Sequence, residues 1–369
     1  MRRWTVFAAA LIILSMVFSY GEVSAKSTQP EKKTAKQTQT AGKTSSKKSE
    51  ASSKSSKTSN KKTVSSKSDK KHEAKAGQAK AASKPKKKRT AEAPAKPAAP
   101  VLPDSYKGDF GVSTKAAMVM DNESGKVLFA QEADQPIAPA SLTKVLTLYL
   151  INERLENGSL KLDDMIPVSQ EASHAGGSNM RLKTGETVRL EDLIKGIAVA
   201  SANDGCVAVA EYLGGGSIQP FVDEMNRKAQ ELGMSSSRFF NPNGLPAEGQ
   251  VTTARDMALL ARAYLKRFPE SLSIHSMTEF THNNRVRHNS NTLLGRVDGV
   301  DGLKTGFVCA SGFNIVVTAK RGETRLVAVV LGARNRGVRA REATRLVEEG
   351  FKIVAAEKEM KGRHLALNH

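Results

Sequence analysis

Hydrophobic and polar positions fall into two hairpin patterns that lie far apart along the chain. Apolar runs at residues 116–121 and 127–131 flank Asn122-Glu123-Ser124-Gly125, a strong turn sequence. Runs at residues 313–320 and 324–332 flank a second turn, which contains Arg321-Gly322. Because consecutive strands usually pair and helical patterns fill the interval, we expect one antiparallel sheet built from distant segments, with a helical lobe inserted.

The interval between the hairpins carries apolar residues at helical spacing. Residues 190–213 show this pattern most clearly, although Ser201-Ala202-Asn203-Asp204 interrupts it. A turn-rich stretch at residues 156–190 leaves room for one short helix, and residues 302–307 read as a short extended segment. The predicted helices are residues 139–153, 190–213, 218–232, 254–268 and 338–355.

The first 25 residues are typical of an export signal. Arg2 and Arg3 precede an apolar core at residues 6–18, and Val23-Ser24-Ala25 is a small-residue cleavage site. Cleavage would release the mature chain into the periplasm. An uncleaved segment would instead tether the protein to the inner membrane. The apolar core is short for a full membrane span, which favours cleavage.

Residues 26–104 are predicted to be a disordered basic linker. Residues 26–100 contain 22 Lys and Arg against 5 Asp and Glu, so most of the net charge of +20 lies here. With almost no large apolar side chains, this segment cannot build a core. It is either a solvated spacer or a tether for anionic envelope polymers. Nucleic acid as a partner is excluded by the export signal.

The remaining chain is long enough for one large domain, which we place at residues 105–358, followed by a C-terminal tail at 359–369. Its spacing of His, Cys, Asp and Glu predicts no metal site, and no phosphate-binding loop predicts a cofactor. Cys206 and Cys309 permit one disulfide, although two separate thiols are the simpler interpretation.

Three short motifs carry candidate chemistry: Ser141-Leu142-Thr143-Lys144, Ser201-Ala202-Asn203 and Lys304-Thr305-Gly306. Each recurs by chance, and Lys183-Thr184-Gly185 repeats the third in a turn-rich stretch where we reject it. Their order is the one found in the active-site serine enzymes that react with penicillin.

The first motif suits acyl transfer. Residues three apart share a helix face, so Lys144 lies one turn from Ser141 and can take its proton if burial lowers the lysine pKa. The N-terminal end of a helix also favours an oxyanion. Alone, the pair is more typical of a serine that caps a helix and a lysine on the surface.

The other motifs complete such a site. Ser201 can relay a proton to a leaving amine, and Asn203 can orient Lys144 or the substrate. A strand edge at Lys304-Thr305-Gly306 can pair with an extended peptide, while Lys304 and Thr305 suit a terminal carboxylate and Gly306 permits close approach.

From about residue 109 to 351 the chain resembles the low-molecular-mass D-alanyl-D-alanine carboxypeptidases of serine peptidase family S11, the penicillin-binding protein 5-like enzymes. Beside the three motifs, the supporting strings are Arg255-Asp256-Met257-Ala258, His288-Asn289-Ser290-Asn291 and Val300-Asp301-Gly302-Leu303.

The resemblance implies a three-layer αβα sandwich of the β-lactamase/transpeptidase type, with a five-stranded antiparallel sheet and a helical subdomain. It implies a serine D,D-carboxypeptidase that removes the terminal D-Ala of peptidoglycan stem pentapeptides, needs no cofactor and is acylated by β-lactams. Ser141 would be the nucleophile and Lys144 the base, with Ser201 and Asn203 completing the catalytic set. Lys304, Thr305, Gly306 and Arg339 would bind substrate.

Three departures from the family pattern keep alternatives open. No C-terminal β domain is expected after residue 358, the linker is unusual, and Asn243-Gly244-Leu245 stands where relatives often have His-Gly-Leu. Shorter relatives include D,D-endopeptidases that cleave cross-links, which is the main alternative. A β-lactamase is disfavoured because no Glu-x-x-Leu-Asn string follows Asn203. The remaining alternative is a wall-binding protein without catalytic activity.

Overall fold

The computed structural model describes residues 111–367. The predicted signal at residues 1–25 and linker at 26–104 lie outside the described residues. The strands are β1 Ala116–Asp121, β2 Val127–Gln131, β3 Met165–Pro167, β4 Thr187–Arg189, β5 Glu279–His282, β6 Arg285–His288, β7 Val300–Val308, β8 Gly312–Arg321 and β9 Thr324–Ala333.

Eight α-helices accompany these strands in the described part of the chain. They are α1 Lys144–Glu156, α2 Gln170–Ser173, α3 Leu190–Val199, α4 Asn203–Leu213, α5 Gln219–Glu231, α6 Ala254–Arg267, α7 Leu272–His275 and α8 Arg336–Leu367. Two 3₁₀ turns, at Ala140–Thr143 and Pro269–Ser271, precede α1 and α7.

The central sheet has the order β2-β1-β9-β8-β7, and all of its neighbouring strands are antiparallel. Both predicted hairpins are present, as β1–β2 and β8–β9. Strand β1 pairs with β9 although some 200 residues separate them along the chain, so the sheet joins the two ends of the domain. This confirms the antiparallel sheet predicted from the sequence pattern and the five strands that the family resemblance implies.

The sheet separates two hydrophobic cores because successive strand residues face opposite sides. On β1, Met118 packs into the core with the helical lobe, whereas Val119 packs into the core with α8. Strand β9 repeats the pattern with Val329 and Val330. Helices therefore cover both faces, which confirms the three-layer αβα sandwich with an inserted helical lobe.

Two elements differ from expectation. The β5–β6 hairpin was not predicted, since its strands are mostly polar and its turn is Asn283-Asn284, where both residues have positive φ. Helix α8 continues through residue 367, into the segment assigned to a tail. Charged pairs such as Glu359–Arg363, 2.6 Å apart, support its last turns without an apolar pattern. Within residues 111–367, none of the helices combines the length and apolar character needed to cross a membrane.

The entry into β7 provides a stability test. Gly299 has φ +76°, and a Cβ there would lie 2.3 Å from the Lys320 carbonyl oxygen; Gly158 has the same φ with nothing within 4 Å. We expect Gly158→Ala to lower the free energy of unfolding by about 1 kcal/mol and Gly299→Ala by more than ~2 kcal/mol, since a clash adds to the left-handed backbone cost. Denaturant unfolding of both variants measures the difference; equal losses would contradict it.

Candidate active site

The serine and lysine of the first motif lie on a tighter turn than expected. Ser141 is in the 3₁₀ turn Ala140–Thr143, and the α-helix begins only at Lys144. With three residues per turn, a 3₁₀ turn places residues i and i+3 directly above each other. Lys144 Nζ consequently lies 2.9 Å from Ser141 Oγ, within hydrogen-bond distance.

The amine of Lys144 is fully buried and has three oxygen neighbours. Besides Ser141 Oγ, it contacts Asn203 Oδ1 at 2.7 Å and the backbone carbonyl oxygen of Asn243 at 2.5 Å. Asn203 Nδ2 donates to the Gly176 carbonyl at 2.6 Å, so its amide orientation is fixed with Oδ1 towards the lysine. Three acceptors match the three N–H bonds of an ammonium group.

Removal of one proton from this amine leaves a lone pair with a defined direction. The Asn203 and Asn243 oxygens can only accept, so a neutral amine donates to both and directs its lone pair at the Ser141 hydroxyl, which then donates. Burial lowers the Lys144 pKa to about 8, although the neighbouring Cys206 and Asp204 oppose the shift. Near neutral pH the neutral base is therefore accessible.

The second motif links α3 to α4. Ser201 has φ +60° and is 9% exposed, and Asn203 is the first residue of α4. The next residue, Asp204, is buried, and its carboxylate accepts from the backbone N–H groups of Met180, Leu182 and Gly205 at 2.9–3.1 Å. This carboxylate holds residues 176–182 against the start of α4.

The third motif lies on β7, which is an edge strand of the central sheet. A Cβ on Gly306 would lie 3.0 Å from the backbone nitrogen of Ser141, so glycine lets this strand pack directly against the serine turn. Thr305 is 6% exposed and Lys304 is buried. Burial holds the Lys304 pKa well below its usual value, and the positive charges of Lys144 and Arg339 lower it further.

Arg339 lies on α8, close to Lys304. It is 4% exposed and donates to the Ser290 carbonyl at 3.0 Å, while its buried Nε has no hydrogen-bond partner among the described residues. Burial lowers the Arg339 pKa to about 10, and the charge of Arg336 contributes. An anion placed here would compensate a partly desolvated positive charge.

These residues share one cleft. Its cavity of about 270 Å³ is lined by Ser141, Ser201, Asn203, Thr305, Gly306 and Arg339, with Phe307 and Phe313 also on its wall. Lys144 and Lys304 lie beside it, buried. The rejected triplet Lys183-Thr184-Gly185 is on an exposed turn elsewhere. Over residues 111–367, no three His, Cys, Asp or Glu side chains are grouped to hold a metal ion.

The two cysteines are free thiols in the structure. Cys206 is completely buried beside the two lysines, and burial raises its pKa to about 11. Cys309 is exposed just beyond β7. The position of Cys206, three residues after Asn203, suggests that thiol reagents would inhibit the protein; the structure argues against this hypothesis, because a thiol with a raised pKa and no solvent access reacts slowly.

Sequence reasoning missed the groups that act through backbone atoms or tether loops. Asn243 contributes a carbonyl oxygen, which any residue possesses, so its departure from the usual histidine does not affect the contact to Lys144. Asp204 directly follows Asn203, but nothing in the sequence indicates that its carboxylate accepts from three backbone N–H groups. Arg336 was one of several arginines near Arg339, and only the fold shows that it lines the cleft.

The thiols give a direct test of this packing. We expect iodoacetamide to label Cys309 and spare Cys206 in the folded protein, and both to react in denaturant, because only Cys309 is accessible. Peptide mass spectrometry measures each site. Rapid labelling of Cys206 in the folded protein would show that the core beneath the lysines is open.

Comparisons with known proteins agree with this geometry. Residues 104–335 match peptidase family S11, described as D-alanyl-D-alanine carboxypeptidase. The chain is 41% identical over 249 residues to D-alanyl-D-alanine carboxypeptidase DacC of Escherichia coli, covering 66% of this chain and 62% of that protein. The chain thus spans somewhat less than two thirds of the length of this curated relative.

Solved structures show the same fold. Penicillin-binding protein 5 from Haemophilus influenzae is 33% identical with a TM-score of 0.64, over 69% of this chain and 73% of that one. Penicillin-binding protein D2 from Listeria monocytogenes, in an ampicillin-bound form, is 31% identical with a TM-score of 0.60, over 65% of this chain and 98% of that one. Because the family match covers well over half of its residues, the chain belongs to peptidase family S11, the D-alanyl-D-alanine carboxypeptidases.

Proposed function

We propose that this protein is a serine-type D-Ala-D-Ala carboxypeptidase that removes the terminal D-Ala from peptidoglycan stem pentapeptides through an acyl-enzyme on Ser141. The observation that carries the proposal is the placement of Lys144 Nζ, with two acceptors that cannot donate and the Ser141 hydroxyl as its third neighbour. This arrangement supplies a positioned base for a nucleophile that would otherwise be weak.

Acylation begins when neutral Lys144 accepts the Ser141 proton and Oγ attacks the carbonyl carbon of the D-Ala–D-Ala bond. The turn that carries Ser141 directly precedes α1, so the positive end of that helix lies beside the developing oxyanion. Ser201, on the same cleft wall, relays the proton from Lys144 to the departing amine. The terminal D-Ala then leaves.

The carboxylate of the terminal D-Ala binds at the basic end of the cleft. Lys304 and Arg339 supply positive charge there, with the Thr305 hydroxyl nearby. The substrate backbone lies along the edge strand β7, where Gly306 allows close approach. Water then hydrolyses the acyl-enzyme by the reverse proton path, and a β-lactam acylates the same serine.

Other activities use the same residues and differ in substrate. A D,D-endopeptidase would attack a cross-linked stem, and a β-lactamase would release the β-lactam rapidly. A wall-binding protein without catalysis would not need the buried base that the cleft contains. We place the carboxypeptidase first because the unpartnered Arg339 Nε suits a free terminal carboxylate.

The remaining assignments follow from the sequence. We propose an exported protein with a signal at residues 1–25, a basic linker at 26–104 that spaces or tethers the enzyme near anionic envelope polymers, and a catalytic domain at 105–358. The enzyme would act in the periplasm, where its peptidoglycan substrate lies. Tethering to the inner membrane would require the first segment to stay uncleaved.

The central experiment follows peptidoglycan fragments by mass spectrometry after incubation with the full chain. We expect pentapeptides to become tetrapeptides. Ser141→Ala should lower the rate of this conversion by at least about 10³-fold, because the nucleophile is removed. Ser124→Ala, on an exposed turn, is the matched control and should retain activity.

Two outcomes would contradict this assignment. Cleavage of cross-linked dimers with pentapeptides untouched would make the protein an endopeptidase. Rapid turnover of penicillin, in place of a long-lived adduct on Ser141, would make it a β-lactamase.

The pH dependence tests the role of Lys144. Below pH 8 the amine is mostly protonated and lacks a lone pair, so the rate of acylation by penicillin should fall about tenfold per pH unit and level off above about pH 8 to 9. Lys144→Arg, which stays charged, should acylate slowly throughout. A flat wild-type profile between pH 6 and 8 would argue against Lys144 as the base.

A further inference from the structure

A buried chain of hydrogen bonds joins helix α1 to strand β7. Asn152 on α1 donates from Nδ2 to the Tyr264 hydroxyl at 3.1 Å, and this hydroxyl lies 3.2 Å from His275 Nε2. On the other side of the ring, His275 Nδ1 lies 3.1 Å from the backbone carbonyl oxygen of Leu303. His275 and Tyr264 are each 1% exposed, and neither lines the catalytic cleft. Their polar atoms therefore serve contacts inside the domain.

The carbonyl group at the end of the chain fixes the direction of its hydrogen bonds. A carbonyl oxygen can only accept, so His275 Nδ1 carries the proton that is donated to Leu303. In a neutral imidazole Nε2 is then an acceptor, and the Tyr264 hydroxyl is its donor. Burial lowers the pKa of His275 to about 4, although the hydrogen bond to Leu303 opposes the shift, and the positive charge of Lys304 lowers it further. The ring is therefore neutral near neutral pH, with one defined tautomer.

The chain ends one residue before Lys304, at the entry to the third motif. The preceding carbonyl, that of Gly302, accepts from Asn291 Nδ2 at 3.1 Å, and Asn291 is 4% exposed. Two buried side chains, Asn291 and His275, thus hold the successive carbonyl groups of Gly302 and Leu303. The pairing of β7 with β8 has a register shift that ends at Gly302, so the strand ladder is irregular where these side chains act. They supply the positional constraint that a regular ladder would give.

The other end of the chain lies on the helix that carries the catalytic base. Asn152 is eight residues beyond Lys144 on α1, and the chain crosses α6 and α7 before it reaches β7. Leu303 is 2% exposed, so its carbonyl would be left buried without the imidazole donor. An unpaired buried carbonyl is costly, and the peptide can recover a donor only by turning, which displaces the next residue, Lys304.

We infer that His275 is a positioning residue, whose Nδ1–H group fixes the Leu303 peptide and thereby directs Lys304 towards the terminal carboxylate of the substrate. This inference rests on the proposed carboxypeptidase function, in which Lys304 binds that carboxylate. His275 does not line the cleft, so it acts through Lys304. Its loss should reduce the discrimination between substrates with and without a terminal carboxylate.

The test compares two peptides that differ only at the C-terminus. Nα,Nε-diacetyl-L-Lys-D-Ala-D-Ala has a free carboxylate, and its C-terminal amide does not. The measured quantity is the ratio of kcat/KM for release of the last residue from the two peptides by the full-length protein. Wild type should prefer the carboxylate, because Lys304 and Arg339 are positively charged.

Two substitutions of similar size isolate the N–H group. His275→Leu removes the donor, whereas His275→Asn places an amide N–H where Nδ1–H was. We expect the ratio to fall about tenfold in His275→Leu, as the loss of one charge-assisted hydrogen bond predicts, and to stay within about twofold of wild type in His275→Asn. The ratio is measured on one preparation, so a loss of folded protein cancels and a merely structural role leaves it unchanged.

Tyr264→Phe provides a milder second variant. It removes one hydroxyl with little change in shape, so the ring loses its partner at Nε2, and we expect the ratio to fall about threefold. Nitrogen NMR of the histidine rings in wild type should show His275 as the neutral Nδ1–H tautomer, with the His275→Asn spectrum assigning its signal.

Several outcomes would overturn the inference. These are an unchanged ratio in His275→Leu, equal losses in His275→Leu and His275→Asn, or an Nε2–H tautomer in wild type. Should His275→Leu fail to fold, an unchanged ratio in Tyr264→Phe would overturn it. A wild-type protein that releases D-Ala from neither peptide, or that does not distinguish the two, would instead refute the proposed function.

Discussion

The burial of one amine is the constraint on which the rest of the site depends. Lys144 is a side chain that water would normally solvate, and the fold replaces that water with three oxygens from three separate segments. Such a charge is tolerated in the interior only when all of its donors are matched. The 3₁₀ turn, the start of α4 and the loop at Asn243 must therefore meet at one point, and that requirement fixes the shape of the cleft.

The central sheet and the helical lobe contribute different halves of this arrangement. Strand β7 supplies an open edge with Lys304 and Thr305, and α8 adds Arg339 from the opposite layer. The lobe supplies the nucleophile and its base, and the Asp204 carboxylate keeps the cleft wall at residues 176–182 against α4. The chemistry thus lies where two layers meet.

Much of this could be predicted from the sequence because local geometry determines it. Ser141 and Lys144 are three residues apart, so any helical turn brings them together. The two turn sequences predict the hairpins at either end of the domain, and thus most of the central sheet. The groups that were missed depend on long-range contacts: the Asn243 carbonyl has no residue signature, and the backbone N–H groups of Met180 and Leu182 reach Asp204 only in the folded chain. The β5–β6 hairpin and the last turns of α8 lack an apolar periodicity, so no pattern indicated them.

The packing of the serine turn against the edge strand has a consequence for solubility as well as for chemistry. An unpaired strand edge is a template on which strands from other molecules can add, and proteins usually shield such edges. Here the turn at Ala140–Thr143 covers part of β7, with the Gly306 position held close to the backbone of Ser141. The nucleophile turn therefore also packs where a strand from another molecule would approach β7, and so limits strand addition at this edge.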